Sequence, residues 1–227
     1  MQGGGQGFES PRLHTMNSVK QKPVVTYVLI GLNVAAFLWQ LSVGISASAF
    51  GYGLSPFAVA SGEWSRIVTA VFLHGSFLHL AFNMYVLFAI GRQLELLLGS
   101  VRFVVLYAIS ALGGVAATFT FSDPEIVSVG ASGAIFGLMG GLLVAGRRLR
   151  YDVTQVVILI AINVVIGFAV PNIDWRAHLG GLLAGFAVGT VLTRPRGRVT
   201  PTTEWVGCLA IVAICFLLIA QRSIQLT

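Results

Sequence analysis

The chain has 227 residues and a net charge of +6, and 56% of its residues are hydrophobic while only 10% are charged. Since soluble domains carry about 25% charged residues, a chain this apolar could not cover itself with polar surface in water, which excludes a soluble domain and indicates one compact helical bundle solvated by lipid. The basic residues flank the apolar segments, so the positive charge indicates contact with anionic lipid headgroups and gives no support to nucleic-acid binding.

The chain begins with a polar segment, residues 1–22, that shows no hydrophobic periodicity. We interpret it as a disordered cytoplasmic tail. The first apolar run, Val24–Gly44, has the length of about 20 residues that crosses a membrane. A semi-polar connection of about Ile45–Phe77 follows, and such a length inside a compact protein is typical of a functional or disordered segment.

Further apolar segments predict six more spans, which brings the predicted total to about seven. They run at about Leu78–Leu97, Val101–Phe121, Ser132–Ala145, Val153–Val170, Ala177–Leu192 and Trp205–Ala220. The fourth span is short for a crossing and begins in the string Gly-Ala-Ser-Gly, so we expect one of its ends to start below the membrane surface.

The cysteines of the chain are Cys208 and Cys215, and both lie in the last predicted span. Seven residues apart on one helix, their Cα atoms would lie roughly 10 Å apart, beyond the reach of a disulfide. Two cysteines on one helix also exclude a zinc–thiolate site, so we expect them to pack in the interior.

The Lys and Arg residues predict the orientation. If the N-terminus is inside, eleven of the 14 basic residues lie on inner segments, and only Arg66, Arg176 and Arg222 lie on outer ones. This bias places the N-terminus in the cytoplasm and the C-terminus outside, in what we interpret as a prokaryotic cell membrane. The long first loop, Ser132 and His178 then lie towards the outer face.

Polar groups inside spans are costly, and by default they indicate function. His79 and Asn83 lie four residues apart on the second span and share one face. Ser132 begins the fourth span, His178 lies at the start of the sixth, and Asn163 lies in the middle of the fifth.

Each of these features also has a purely structural explanation. The Gly-Ala-Ser-Gly string, like the pair Gly181 and Gly185, is typical of close helix packing through small residues. A hydrogen bond between helices explains Asn163. A single histidine in a membrane serves either as a packed, neutral imidazole or as a proton relay.

The combination is harder to explain by packing, because three spans place polar groups at the same depth. Ser132 and His178 would supply a nucleophile and a general base, and Asn83 and His79 would supply donors to a developing oxyanion. The spans are expected to hold no Asp or Glu that could complete a triad, so the chemistry would run as a dyad.

The sequence that carries these residues resembles the rhomboid family of intramembrane serine proteases. The resemblance covers about Glu63–Gly185, and it rests on three motifs in register on the second, fourth and sixth predicted spans. These are EWSRIVTAVFLHGSFLHLAFNM, GASGAIFGLMGG and WRAHLGGLLAG. It implies an all-α membrane bundle with a six-helix core, and the last predicted span would be an additional helix.

The resemblance also implies residue roles. Ser132 matches the nucleophile and His178 the base. His79, Asn83 and Gly130 match the oxyanion site. The residues matched to supporting roles are Arg66, Thr69 and His74 in the first loop, Gly181 and Gly185 in helix packing, and Phe136 beneath the histidine, where many relatives have tyrosine.

The predicted function is therefore an intramembrane serine endopeptidase without metal or cofactor, whose substrates are single-span or polytopic membrane proteins cleaved in or near their transmembrane helices. The predicted organisation is a tail at 1–22, a protease core at 23–193, and a linker with the extra helix at 194–227. Two alternatives remain open. A non-catalytic helix-binding or escort protein would use the same fold, whereas a transporter usually shows internal repeats, which are not visible here.

Overall fold

The all-α architecture expected from the sequence is confirmed by the computed structural model. The structure describes residues 22–149, 152–169, 173–193 and 201–227. Within these ranges, strand pairing is limited to one antiparallel bridge between Leu54 and Ser128. The predicted tail, apart from Lys22, and the first part of the predicted linker, 194–200, lie outside the described residues.

The α-helices occupy the following ranges in chain order: α1 Val24–Val43, α2 Ile45–Tyr52, α3 Pro56–Ala60, α4 Arg66–Thr69, α5 Phe77–Val86, α6 Arg92–Leu98, α7 Ser100–Phe121, α8 Ser132–Leu149, α9 Thr154–Ala169, α10 Trp175–Leu192 and α11 Pro201–Leu226. A 3₁₀ turn at Ala70–Phe72 follows α4. A π-helical turn at Leu87–Gly91 joins α5 to α6, so that these two helices form one continuous rod.

Among the described residues, four helical segments are long and apolar enough to cross a membrane. They are Val24–Val43, Phe77–Leu98, Ser100–Phe121 and Thr202–Leu226, and they correspond to the first, second, third and last predicted spans. The other three predicted spans correspond to α8, α9 and α10. Several apolar helices of this length make the chain a polytopic membrane protein.

The long first loop is built from short helices that a few side chains hold together. The guanidinium of Arg66 donates to the carbonyls of Phe50, at 2.7 Å, and of Gly53, at 3.1 Å, and it also pairs with the carboxylate of Glu63. The hydroxyl of Thr69 donates to the carbonyl of Tyr52 at 2.6 Å. Because these bonds satisfy backbone carbonyls between helices, the loop keeps a defined shape without regular pairing.

Helices α7, α8 and α10 form the densest part of the bundle, where glycines replace side chains at the crossing points. The Cα of Gly181 on α10 faces the carbonyl of Gly133 on α8, and Gly185 faces Gly137 in the same way. A Cβ on either α10 glycine would overlap the backbone of α8. Backbone-to-backbone approach of this kind is typical of membrane helix pairs, and it brings the starts of α8 and α10 together.

One expectation about the spans is wrong, because a carboxylate does lie in the second. Glu95 is buried at the end of that span opposite to Ser132, and it accepts hydrogen bonds from the backbone N–H groups of Val25 and Thr26 and from the hydroxyl of Ser100. It therefore caps the first turn of α1, which has no intrahelical acceptor for these donors. Glu95 is structural and lies far along the span from the polar groups of α5.

The last helix, α11, packs along α7 and against α3 of the first loop. Near its start, Glu204 is buried and pairs with Arg102 of α7 at 2.7 Å. Cys208 and Cys215 are both buried and neither forms a disulfide, in agreement with the sequence analysis. The ion pair between Arg102 and Glu204 and an apolar face thus attach the extra helix to the core.

Candidate active site

Ser132 is the first residue of α8, and the segment before it is held in an extended path. The backbone of Ser128 pairs with Leu54, and the N–H of Gly130 donates to the carbonyl of Ala70 at 2.9 Å. Gly130 has a φ of 133°, which disfavours any residue with a side chain. The first loop therefore fixes the backbone that leads into Ser132.

His178 on α10 meets Ser132 across the glycine-lined crossing. Its Nε2 lies 2.9 Å from the Ser132 Oγ. A serine O–H that donates to this nitrogen requires the neutral imidazole with its proton on Nδ1. The Nδ1 is buried and has no hydrogen-bond partner among the described residues.

Asp174 fixes the start of α10, one turn before His178. Its Oδ1 accepts from the N–H groups of Arg176 and Ala177, and its Oδ2 accepts from the hydroxyl of Thr118 on α7. The carboxylate caps the helix and ties it to a neighbour. The sequence analysis began this span at Ala177 and missed the cap, although an Asp directly before a helical run is a recognisable start signal.

Phe136 lies one helical turn after Ser132, and its ring stacks on the imidazole of His178. The ring centroids are 4.2 Å apart and the planes differ by 11°. Phe136 is buried, so the stack is held from below by the interior of the bundle. This geometry restricts rotation of the imidazole about its χ2 angle.

His79 and Asn83 project from α5 towards the same space. The Ser76 hydroxyl caps α5 by accepting from the N–H of His79, and the His79 Nδ1 lies 3.4 Å from the N–H of Gly75. If Nδ1 accepts this bond, the ring proton is on Nε2, which faces Gly130. The Nδ2 of Asn83 is buried without a partner among the described residues, and so it is free to donate.

These side chains line one cavity of about 820 Å³. Its wall includes His79, Asn83, Gly130, Ser132, Phe136 and His178. The volume is in the range of small-molecule and peptide-binding clefts. A carbonyl placed beside the Ser132 Oγ would have a base on one side and hydrogen-bond donors from α5 on the other.

Asn163 on α9 also lines this cavity, but within the described part of the chain it shows no bond between helices of the kind expected from the sequence. Its Nδ2 donates to the carbonyl of Leu159, one turn earlier in the same helix, at 2.8 Å. Asparagine commonly satisfies itself in this local way, which is why its position in a span did not reveal its partner.

A family model described as the rhomboid domain matches residues 61–195. "Rhomboid protease GluP" of Bacillus subtilis (strain 168) is 39% identical over 185 residues, which are 77% of this chain and 36% of that protein. "RHOMBOID-like protein 5" of Arabidopsis thaliana is 43% identical over 153 residues, which are 63% of this chain and 49% of that protein.

"Putative rhomboid protease YdcA" of Bacillus subtilis (strain 168) is 35% identical over 193 residues, and here the match covers 79% of this chain and 94% of the relative. The match thus spans nearly all of one relative, but less than half of the other two.

Proposed function

The chain belongs to the rhomboid family, and from this premise we propose that it is a membrane-embedded serine endopeptidase that uses Ser132 and His178. Relatives named as rhomboid proteases support the activity in general terms. The observation that carries the assignment to residues is the 2.9 Å contact between the His178 Nε2 and the Ser132 Oγ. It lies in a cavity that is also lined by Asn83, whose Nδ2 has no partner among the described residues.

The first step is attack of the Ser132 oxygen on the scissile carbonyl while His178 accepts its proton. The negative charge that develops on the carbonyl oxygen would be stabilised by the Asn83 amide, the His79 Nε2–H and the backbone N–H of Ser132. His178 then donates the proton to the leaving amine, and an acyl-enzyme forms. Water hydrolyses the ester as His178 again acts as the base.

The substrates are proposed to be membrane proteins whose helices open locally. A peptide bond within a helix is hydrogen-bonded and shielded, so a carbonyl cannot reach Ser132 until its turn unwinds. We therefore expect helix-breaking residues near the cleaved bond. With the N-terminus cytoplasmic, the cavity would face the outer side of the membrane, where water enters.

Incubation of the purified full chain in proteoliposomes with a single-span model substrate tests the proposal. Ser132→Ala and His178→Ala should each abolish cleavage while the proteins remain folded. Ser110→Ala is the matched control, because Ser110 is also buried in the bundle but lies on α7, and this variant should cleave normally. Cleavage by Ser132→Ala at the wild-type rate would contradict the assignment of Ser132 as the nucleophile, whereas absence of cleavage by the wild-type chain would favour an escort role for the fold.

A further inference from the structure

Helix α1 presents a buried polar face to the core. Thr26, Asn33 and Gln40 are all fully buried, and they recur every seven residues, which places them on one side of the helix. The hydroxyl of Thr26 donates to the carboxylate of Glu95, and the Nδ2 of Asn33 donates to the carbonyl of Leu29 in its own helix. Gln40 differs, because both ends of its carboxamide reach other segments.

The carboxamide of Gln40 connects two parts of the chain that precede the catalytic α5. Its Nε2 donates to the hydroxyl of Ser48 on α2 at 3.0 Å, and Ser48 in turn donates to the carbonyl of Ile45. Its Oε1 accepts from the backbone N–H of His74 at 2.8 Å. With the amide nitrogen and oxygen both engaged, the carboxamide has one orientation, and it fixes the backbone at His74.

The side chain of His74 packs against that of His79. The His74 side chain is fully buried, and the two imidazole rings meet edge to face with centroids 5.0 Å apart. Burial, and then the neighbouring His79, lower the pKa of His74 from 6.5 to about 3, so the ring is neutral at physiological pH. A neutral, enclosed ring acts as a fixed packing surface and does not bring a charge to the site.

His79 has little else that fixes its ring. Its Nδ1 approaches the N–H of Gly75, the residue next to His74. On the other side it lies against Gly130, where a Cβ would come within 2.9 Å of the His79 Nε2. The first of these supports depends on the position of the turn at residues 73–75, which is the segment that Gln40 holds, and the second on the segment whose Gly130 N–H donates to the carbonyl of Ala70.

We propose that Gln40 is a positioning residue for the oxyanion site: it fixes the turn at residues 73–75, and through the His74 ring it sets the place of the His79 imidazole. This inference rests on the proposed function, in which His79 donates to the developing oxyanion. Gln40 contacts neither Ser132 nor His178, and it is not one of the residues that line the active-site cavity.

The test is a double-mutant cycle between Gln40→Met and His79→Ala. Methionine keeps the length of glutamine and removes both hydrogen bonds. In the otherwise wild-type enzyme, Gln40→Met should lower kcat by about tenfold with KM nearly unchanged, a part of the 10²–10³ that removal of a whole oxyanion donor costs. In the His79→Ala background, Gln40→Met should have almost no further effect on kcat, because the imidazole that Gln40 positions is absent.

Asn33→Leu is the matched control. It removes another fully buried amide from the same face of α1, where the amide does not contact the turn at residues 73–75. Both variants should lower the midpoint of thermal unfolding, but Asn33→Leu should leave kcat unchanged. An equal loss of kcat in Asn33→Leu, or equal losses caused by Gln40→Met in both backgrounds, would show that Gln40 acts only through stability.

Two further measurements keep the result decisive. Ser48→Ala frees one end of the Gln40 carboxamide, so it should reduce kcat in the same direction by a smaller factor. The second measurement is the rate at which a fluorophosphonate labels Ser132. The charge that develops on the phosphonyl oxygen during labelling needs the same hydrogen-bond donors, so the rate should fall in the same variants. Labelling is a single turnover, so slow variants can be measured.

The inference and the proposed function fail in different ways. Absence of Ser132-dependent cleavage and labelling in the wild-type chain would overturn both. Normal cleavage by the wild type, together with an additive cycle, would overturn the role of Gln40 alone.

Discussion

Ser132 is the first residue of α8, and in the proposed mechanism this place would contribute to its reactivity. The first N–H groups of a helix have no intrahelical acceptor and carry a partial positive charge. A tetrahedral oxyanion formed on a carbonyl next to the Ser132 Oγ would lie close to them. In the proposed mechanism, the side chains of α5 would therefore add to a stabilisation by the backbone.

Asn83 is expected to contribute to the transition state and little to substrate binding. Asn83→Ala should lower kcat by less than the roughly 10²–10³-fold that a single oxyanion donor can provide, because His79 and backbone N–H groups share the charge. KM should change little, since the hydrogen bond strengthens only as charge develops. Steady-state kinetics with the model substrate would measure both constants.

Asn163→Ala serves as the control for this prediction, because Asn163 also lines the cavity but donates within α9. It should retain kcat. An Asn83→Ala enzyme with normal kcat and a much higher KM would instead make Asn83 a residue that binds the substrate.

Phe136 should act by orienting the base. Phe136→Tyr keeps the stacked ring and should retain activity, whereas Phe136→Ala should lower kcat beyond what its loss of stability explains, since a misplaced imidazole raises the barrier. Activity is measured per folded enzyme, at a temperature well below the unfolding midpoint.

Phe103→Ala is the matched control for Phe136→Ala, because Phe103 is an equally buried ring on α7. Both alanine variants should be destabilised by about 3–5 kcal/mol. If both lose activity only in proportion to the loss of folded protein, Phe136 merely fills space between α8 and α10.

At the scale of the element, the crossing of α8 and α10 brings Ser132 and His178 within hydrogen-bonding distance. Gly181→Ala places a methyl group against the carbonyl of Gly133. Because backbone cannot yield as a side chain does, we expect a loss of roughly 1–3 kcal/mol in stability, together with a loss of activity as Ser132 and His178 separate. Thermal unfolding in detergent and the cleavage assay would measure the two effects.

Gly31→Ala is the control of opposite sign. A Cβ at Gly31 on α1 meets nothing within 4 Å. Alanine in a helix interior is favoured over glycine by about 0.5–1 kcal/mol, so this variant should be slightly more stable and fully active. A destabilised Gly31→Ala, or a neutral Gly181→Ala, would contradict the packing argument.

At the scale of the whole molecule, charge predicts the orientation of the bundle. Eleven of the 14 basic residues fall on one side if the N-terminus is cytoplasmic. A reporter fused after Arg150 or Arg198 should therefore be cytoplasmic, and one fused after Thr227 should be external. Activity of a periplasm-dependent reporter, compared with a cytoplasm-dependent one, measures each position. An internal Thr227 would mean that α11 does not cross, or, if Arg150 and Arg198 are external, that the whole orientation is wrong.

The helices and the candidate reactive residues could be predicted from the sequence because both depend on local properties. Apolar runs of membrane-spanning length mark α1, α7 and the continuous helix Phe77–Leu98 to within two residues. Short motifs single out the residues that the fold brings together at Ser132. The order of these motifs along the chain is enough to indicate the family, since each motif is one continuous stretch of sequence.

Contacts between distant segments could only be decided by the tertiary structure. Gln40 and His74 are 34 residues apart, Thr118 and Asp174 are 56 apart, and Thr26 and Glu95 are 69 apart. No periodicity relates such pairs, because the path of the chain between them sets their distance. The sequence by itself determined which groups are candidates for the reaction and which segments are helices. The packing of α7, α8 and α10 decided which polar groups meet, because backbone contact at the glycines fixes both the depth and the rotation of each helix.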